Sequence, residues 1–173
     1  MIYPIEVRDL LLWFAYYDLY TPKWSLHIFD EWIDVMRRKG VSEPEIAKRT
    51  GRVNEAFPDA MVTNYESLID SLDLPDRDDR HVLAAAIKVN ANVIVTNNLK
   101  DFPDKQLARY SLSAKCADDF LSETIDLENY RAALAFRTLV LHRRNPDLDE
   151  YQVLDALRRN GLTDTANYLH ALL

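Results

Sequence analysis

A helix that runs straight into a short, unbroken apolar strand constrains this chain more than any other feature. Asp78 or Asp79 is placed to cap a helix reaching about Val89. Asn90-Ala91-Asn92 reads as a turn, and Val93-Ile94-Val95-Thr96 follows as a continuously apolar strand. A strand with no polar alternation belongs inside a parallel sheet, covered on both faces. A helix leading into such a strand is half of a β-α-β unit and points to an α/β fold. The scarcity of glycine supports this reading. Three glycines in 173 residues cannot serve the many tight turns of an all-β architecture, so helix should dominate.

The rest of the chain fits that frame. Val7, Leu10, Leu11, Phe14 and Ala15 recur at helical spacing, predicting an amphipathic helix over Val7–Tyr20 that Thr21-Pro22-Lys23 ends. Ser25 is placed to cap a second helix with an Ile28, Phe29, Trp32, Ile33 and Met36 stripe, closed by Gly40. Ser42-Glu43-Pro44-Glu45 has capping-box spacing, predicting a third helix to about Glu55 before Pro58. Ala60–Thr63 reads as a short strand, Tyr65–Ser71 as a short helix, and Ser111–Lys115 as another strand. A helix starts at Asp118 or Asp119. The tail reads as a long helix from about Leu127 to Asn145, a break at Pro146, a helix Asp149–Asn160 stopped by Gly161, and a last helix from Thr163. Two domains are expected, 1–125 and a helical extension 126–173. There is no internal repeat.

Composition narrows function. A formal net charge of −7 excludes a protein that coats nucleic acid by bulk charge. It leaves room for an enzyme whose clustered carboxylates are neutralised by divalent metal. A single cysteine, Cys116, excludes an internal disulfide framework and a multi-cysteine zinc cage. Met1 to Glu6 has no basic n-region, and no apolar run approaches the ~20 residues that span a bilayer. A cytoplasmic location is expected.

Three acidic clusters stand out: Asp30-Glu31 on the second helix, Asp76, Asp78 and Asp79 at the start of the helix Asp79–Val89, and Asp101 beyond the strand Val93–Thr96. The segment Thr96–Asp101 leaves the carboxyl end of a parallel strand, where α/β folds form their crevice. Glu31, three residues after Ile28, lies at the edge of its helix's apolar stripe. Converging carboxylates suit Mg²⁺ or Mn²⁺, which prefer oxygen and support phosphodiester cleavage. Taken singly, each acid has a simpler reading, the helix-start aspartate as a cap and the surface glutamate as a solvated charge.

The stretch Leu74-Pro75-Asp76-Arg77-Asp78-Asp79-Arg80-His81-Val82-Leu83-Ala84-Ala85-Ala86, followed by Asn92-Val93-Ile94-Val95-Thr96-Asn97-Asn98-Leu99-Lys100-Asp101-Phe102-Pro103, resembles the central signature of PIN domains. Tyr3-Pro4, Arg8-Asp9-Leu10-Leu11-Leu12, Tyr20–Ser25 and Ile28-Phe29-Asp30-Glu31 resemble the family's first two helices. The resemblance covers roughly residues 1–125, and the helical tail is similar to an extension in one subgroup of VapC-like toxins. It implies a three-layer α/β/α sandwich around a parallel sheet and a Mg²⁺- or Mn²⁺-dependent endoribonuclease. It further implies an RNA substrate and an antitoxin partner, with homo-oligomerisation in view. By resemblance Glu31, Asp79 and Asp101 take the catalytic and metal-binding positions. Asn98 stands beside Asp101, and Thr96 is the strand-end hydroxyl.

The departure is at the front. Relatives read roughly Leu-Asp-Ala-Asn-Val-Leu-Tyr-Pro where this sequence has Met1-Ile2-Tyr3-Pro4. The first strand and its aspartate are therefore expected to be missing, through a misplaced start or a shortened homologue. Another segment or a second chain would then fill the sheet. A catalytically impaired PIN-like binding module is the alternative function. A phospho-acceptor receiver-like domain is a weaker one, because the Asp pair precedes a helix and Lys100 is too close to Thr96.

Other residues have competing readings. Arg77, Arg80 and Lys100 are candidate phosphate contacts or solvated charges. His81 reads as a helix-start histidine packed at the sheet edge ahead of a phosphate contact, Asn97 as a loop-shaping residue, and Trp13, Trp24 and Trp32 as core ahead of RNA-stacking aromatics. His142, Arg143 and Arg144 read as a helix-end basic cluster.

Overall fold

A computed structural model describes residues 3–143 and 146–173. The chain divides into two compact units, one holding Pro22–Lys115 and the other built from Tyr3–Thr21 together with Cys116–Leu173. Among the described residues, no helix is long and apolar enough to cross a membrane.

The Pro22–Lys115 unit mixes helix and short parallel strands. Its elements in order are β1 (Trp24–Ser25), α2 (Leu26–Arg38), α3 (Glu43–Ala56), β2 (Met61–Val62), α4 (Glu66–Ile69), α5 (Arg80–Lys88), β3 (Val93–Val95), α6 (Asp104–Leu107) and β4 (Ser113–Lys115); α1 (Ile5–Tyr16) precedes them in the other unit. The strands form two parallel pairs: β1 with β2 in the register Trp24–Met61 and Ser25–Val62, and β3 with β4 in the register Val93–Ser113 to Val95–Lys115. The β3–β4 pair is extended by Thr96 N–H donating to the Lys115 carbonyl at 2.8 Å. Ser25 ends β1 and caps α2, its Oγ accepting the Ile28 N–H at 3.2 Å. Gly40 stops the chain after α2 with φ of 76°, a backbone conformation that costs glycine nothing. The core packs Leu83, Ala84, Ala85 and Ala86 of α5 with Val62, Tyr65, Leu72, Leu74, Ile94, Phe102, Leu107 and Leu112. Burying each large apolar side chain there contributes roughly 1.5–3 kcal/mol. This packing fixes the start of α5 and the end of β3, which carry the acidic residues.

The second unit is helical, with α1, α7 (Ala117–Leu127), α8 (Asn129–His142), α9 (Glu150–Arg159) and α10 (Thr163–His170). Val7, Leu10 and Phe14 of α1 are buried, as are Ala132, Ala135, Phe136 and Leu139 of α8. Asp149 caps α9 in a complete capping box with Gln152. The Asp118 carboxylate accepts the N–H groups of Asp164 and Thr165 at 3.0 and 2.8 Å, satisfying the start of α10 from α7. Arg143 donates to Glu6 at 3.0 Å in a half-buried pair.

Several sequence expectations need correction. The first helix stops at Tyr16, not Tyr20, because Asp18 turns left-handed with φ of 57°. Ser42 makes no side-chain cap, and Glu45 pairs instead with Arg49 at 3.0 Å. The expected helix from about Leu127 is α8, which starts at Asn129 after Glu128, at φ −140° and ψ 61°, has closed α7. Asn145, the expected end of that helix, lies outside the described residues, as do Arg144 of the basic cluster and Met1-Ile2. Strand β1 was not expected, because its two residues double as the lead-in and cap of α2.

Candidate active site

Asp79 occupies the cap position of α5 but does not act as a cap. Its backbone is helical (φ −83°, ψ −5°) and its side chain makes no cap hydrogen bond. A capping aspartate has extended backbone and accepts from an N–H two or three residues on. The carboxylate of Asp79 is thus left to face other groups. The Asn98 side-chain amide donates to it at 3.4 Å and also donates to Asp101. Asp101 closes a short 3-10 turn, Leu99–Asp101, and is buried. The loop that delivers it is shaped by Thr96, fully buried, whose hydroxyl accepts the Asn98 N–H at 2.9 Å. Asp76 folds back so that its own carboxylate accepts the Asp78 N–H at 2.9 Å.

Asp76, Asp79 and Asp101 each offer an oxygen, all within 4.8 Å of one another. Burial first, then the negative charges of Asp76, Asp101 and Glu31, push the Asp79 carboxyl above its ordinary value. The balance is informative. Two like charges ~4.5 Å apart repel by roughly 3–4 kcal/mol at an effective dielectric of ~20, whereas a hydrogen bond to a charged group returns about 1.5–3 kcal/mol. One Asn98 amide cannot neutralise three carboxylates. A divalent cation can, and an all-oxygen donor set fits Mg²⁺ or Mn²⁺.

Glu31 stands in a different company. It lies close enough to Asp79 to act on its charge. Its Oε1, however, is 3.7 Å from Nε2 of His27, one turn earlier on α2, and 3.6 Å from Nε2 of His81 on α5. The two imidazoles stack with centres 3.8 Å apart and planes 12° from parallel. Burial, then the neighbouring His27, pushes the His81 imidazole down to about 4, so it is neutral near pH 7. A cleft of about 340 Å³ opens along this face of α2, lined by Leu26, His27, Asp30, Glu31, Asp34, Tyr65 and Glu66.

Among the residues singled out from sequence, the structure brings Asp79, Asp101, Asn98 and Thr96 together at the junction of α5 and β3. It places Glu31 with the histidines. Arg77 and Lys100 are exposed, and Arg80 is half-buried with its guanidinium 3.9 Å from Asp73. Two members were not assigned to a site from sequence. In the sequence Asp76 stands only as one member of an acidic run. His27 carried no signal, since helical spacing cannot say what a distant segment brings opposite it.

Residues 11–100 match the family model described as "PIN domain", and residues 117–171 match that described as "VapC50 C-terminal domain". The chain is 34% identical over 120 residues to the Mycobacterium tuberculosis (strain ATCC 25618 / H37Rv) protein described as "Putative ribonuclease VapC50", an alignment spanning 67% of this chain and 70% of that protein. No solved structure matches the chain significantly.

Proposed function

Because this chain belongs to the PIN-domain family, we propose that it is a metal-dependent endoribonuclease, the toxin of a toxin–antitoxin pair. The observation that carries this reading is the freed carboxylate of Asp79, held against Asp76 and Asp101 where their repulsion calls for a divalent cation. The described relative's name adds ribonuclease activity as the expected chemistry.

In this reading Asp79, Asp101 and Asp76, with Glu31 beside them, would hold Mg²⁺ or Mn²⁺. Such an ion would supply Lewis-acid chemistry for phosphodiester hydrolysis there. The protein's own part is positioning. Asn98 fixes the Asp101 carboxylate by hydrogen bonding, and Thr96 fixes Asn98. Arg77, Arg80 and Lys100 flank the acids and are the proposed contacts to RNA phosphates, where salt-dependent attraction offsets the acidic surface. An antitoxin protein is the proposed partner, and the cytoplasm the proposed location.

The second reading is a PIN-like binding module that does not cleave. One observation favours it: Glu31 is grouped with His27 and His81, not with the three aspartates.

The experiment is cleavage of single-stranded RNA with Mn²⁺ or Mg²⁺, for the wild type and Asp79→Asn. The nuclease reading expects cleavage that EDTA abolishes and that the variant loses by at least about 100-fold. Undiminished cleavage by Asp79→Asn sinks the assignment. No cleavage by the wild type favours the binding module.

A further inference from the structure

Helix α8 carries two apolar stripes, and its own unit covers one of them. Ala132, Ala135, Phe136 and Leu139 are buried. At roughly 100° per residue, Tyr130, Leu134, Arg137 and Leu141 fall on the opposite side of the helix. All four are exposed, Tyr130 by 77% and Leu141 by 74%. A helix that needs one buried face puts polar residues on the other. We propose that this outer stripe is a self-association surface, on which α8 packs antiparallel against α8 of a second copy of the chain. The inference stands on the helical unit alone and is independent of the nuclease reading.

The spacing selects a helix as the occupant. Tyr130, Leu134, Arg137 and Leu141 alternate steps of four and three residues, the narrow seam along which two helices interlock. Helix α1 borders the stripe on one side. The hydroxyls of Tyr17 and Thr138 share a hydrogen bond of 2.6 Å, and the Trp13 ring lies 5.0 Å from that of His142. Tyr16, exposed beside Trp13, and Leu127, exposed just ahead of α8, extend the apolar surface. A standard interface covers about 800 Å² per partner. One face of a 14-residue helix offers less, so the association is expected to be weak and concentration-dependent.

Charge selects a second copy and sets its direction. Asp126 and Glu128 stand at the start of α8, His142, Arg143 and Arg144 stand at its end, and α8 itself contains no acid. An antiparallel twofold sets the acidic end of each helix against the basic end of the other and opposes the two helix dipoles. A parallel pair would set like ends together. With the axis midway between Ala135 and Phe136, Tyr130 meets Leu141 of the second copy, and Leu134 meets its Arg137. The Arg137 charge is held within its own unit, 3.9 Å from Glu150 and donating to the Leu172 carbonyl at 3.4 Å. Its methylenes are left to cover the facing leucine.

The test is sedimentation velocity of the full chain from about 1 µM to about 1 mM. Wild type is expected to pass from monomer to dimer across that range. Leu134→Glu, an exposed change that leaves the core alone, is expected to weaken association about 10-fold or more with an unchanged melting temperature. Disulfide capture in a Cys116→Ser background reads the direction. Tyr130→Cys chains mixed with Leu141→Cys chains are expected to crosslink, and Tyr130→Cys chains alone are not. A wild type that stays monomeric, a dimer equally tight in Leu134→Glu, or Tyr130→Cys chains that crosslink to each other in place of the mixed pair overturns the proposal. Cleavage activity is not a readout, so failure of the nuclease reading and failure of this one are separable.

Discussion

Thr96, sealed from solvent at the end of β3, holds the backbone N–H of Asn98 on its hydroxyl at 2.9 Å. This single bond sets the loop from which Asn98 reaches Asp79 and Asp101. Thr96→Val keeps the shape and removes the acceptor. The expected result is a loss of about 1 kcal/mol, read as a melting temperature lower by about 2–4 °C. RNA cleavage should fall more steeply, by about 10-fold or more, because Asp101 loses its fixed position. Thr96→Ser should restore most of both.

Asp79 carries a raised carboxyl because it is partly buried among like charges. Its charged form is therefore a burden on the folded state in the absence of metal. The stability contribution is present at low pH and lost as pH rises through the folded value. Asp79→Asn should consequently melt about 1–3 °C higher than wild type in EDTA at neutral pH, a modest gain because solvent screens a half-exposed group. Mg²⁺ or Mn²⁺ should stabilise wild type and leave the variant much less changed. A variant that melts lower in EDTA refutes the repulsion account.

His81 titrates in the opposite sense. Its folded value near 4 lies below the ordinary 6.5, so the unfolded chain takes up its proton first as the medium is acidified. Stability present above about pH 6.5 should be lost between 6.5 and 4. His81→Gln should flatten that part of the profile relative to wild type, measured by denaturant unfolding in EDTA. Parallel profiles for the two proteins exclude a buried neutral imidazole.

Cys116 serves as the cap of α7, its Sγ accepting the Asp119 N–H at 3.3 Å. Burial pushes its thiol above the ordinary value. Two outcomes follow. Alkylation at pH 7–8 should be slower than for a free thiol, as followed by mass spectrometry. Cys116→Ser places a better acceptor at the same point and should raise stability by about 0.5 kcal/mol or leave it unchanged.

The parts of the fold legible from sequence are those written in local chemistry. Ser25, Asp149, Gly40 and Gly161 mark helix ends through side-chain acceptors or positive φ, and each stands at the expected element boundary. Val93–Val95 was legible from its unbroken apolar run. The end of the first helix was less so, because no proline or glycine announces the left-handed turn at Asp18 that stops it at Tyr16. The candidate site divides the same way. Asp101 follows directly from its place after β3. At Asp79 a carboxylate before a helix signals a cap equally well, and only the backbone angles show that it is not one. His27 and His81 are 54 positions apart (81 − 27), and their stacking exists only through the packing of α2 and α5 in one unit.

The unit that carries α1 is assembled from the two ends of the chain around the contiguous stretch Pro22–Lys115. On the ribosome the order of events is therefore fixed. The central stretch can collapse as soon as it is out, while α1 must wait with Val7, Leu10 and Phe14 uncovered until α8 and α9 have been made. At the usual pace of translation that delay is on the order of ten seconds. During it, an apolar helix stands available to a chaperone or to a partner that meets the protein before its last helices do.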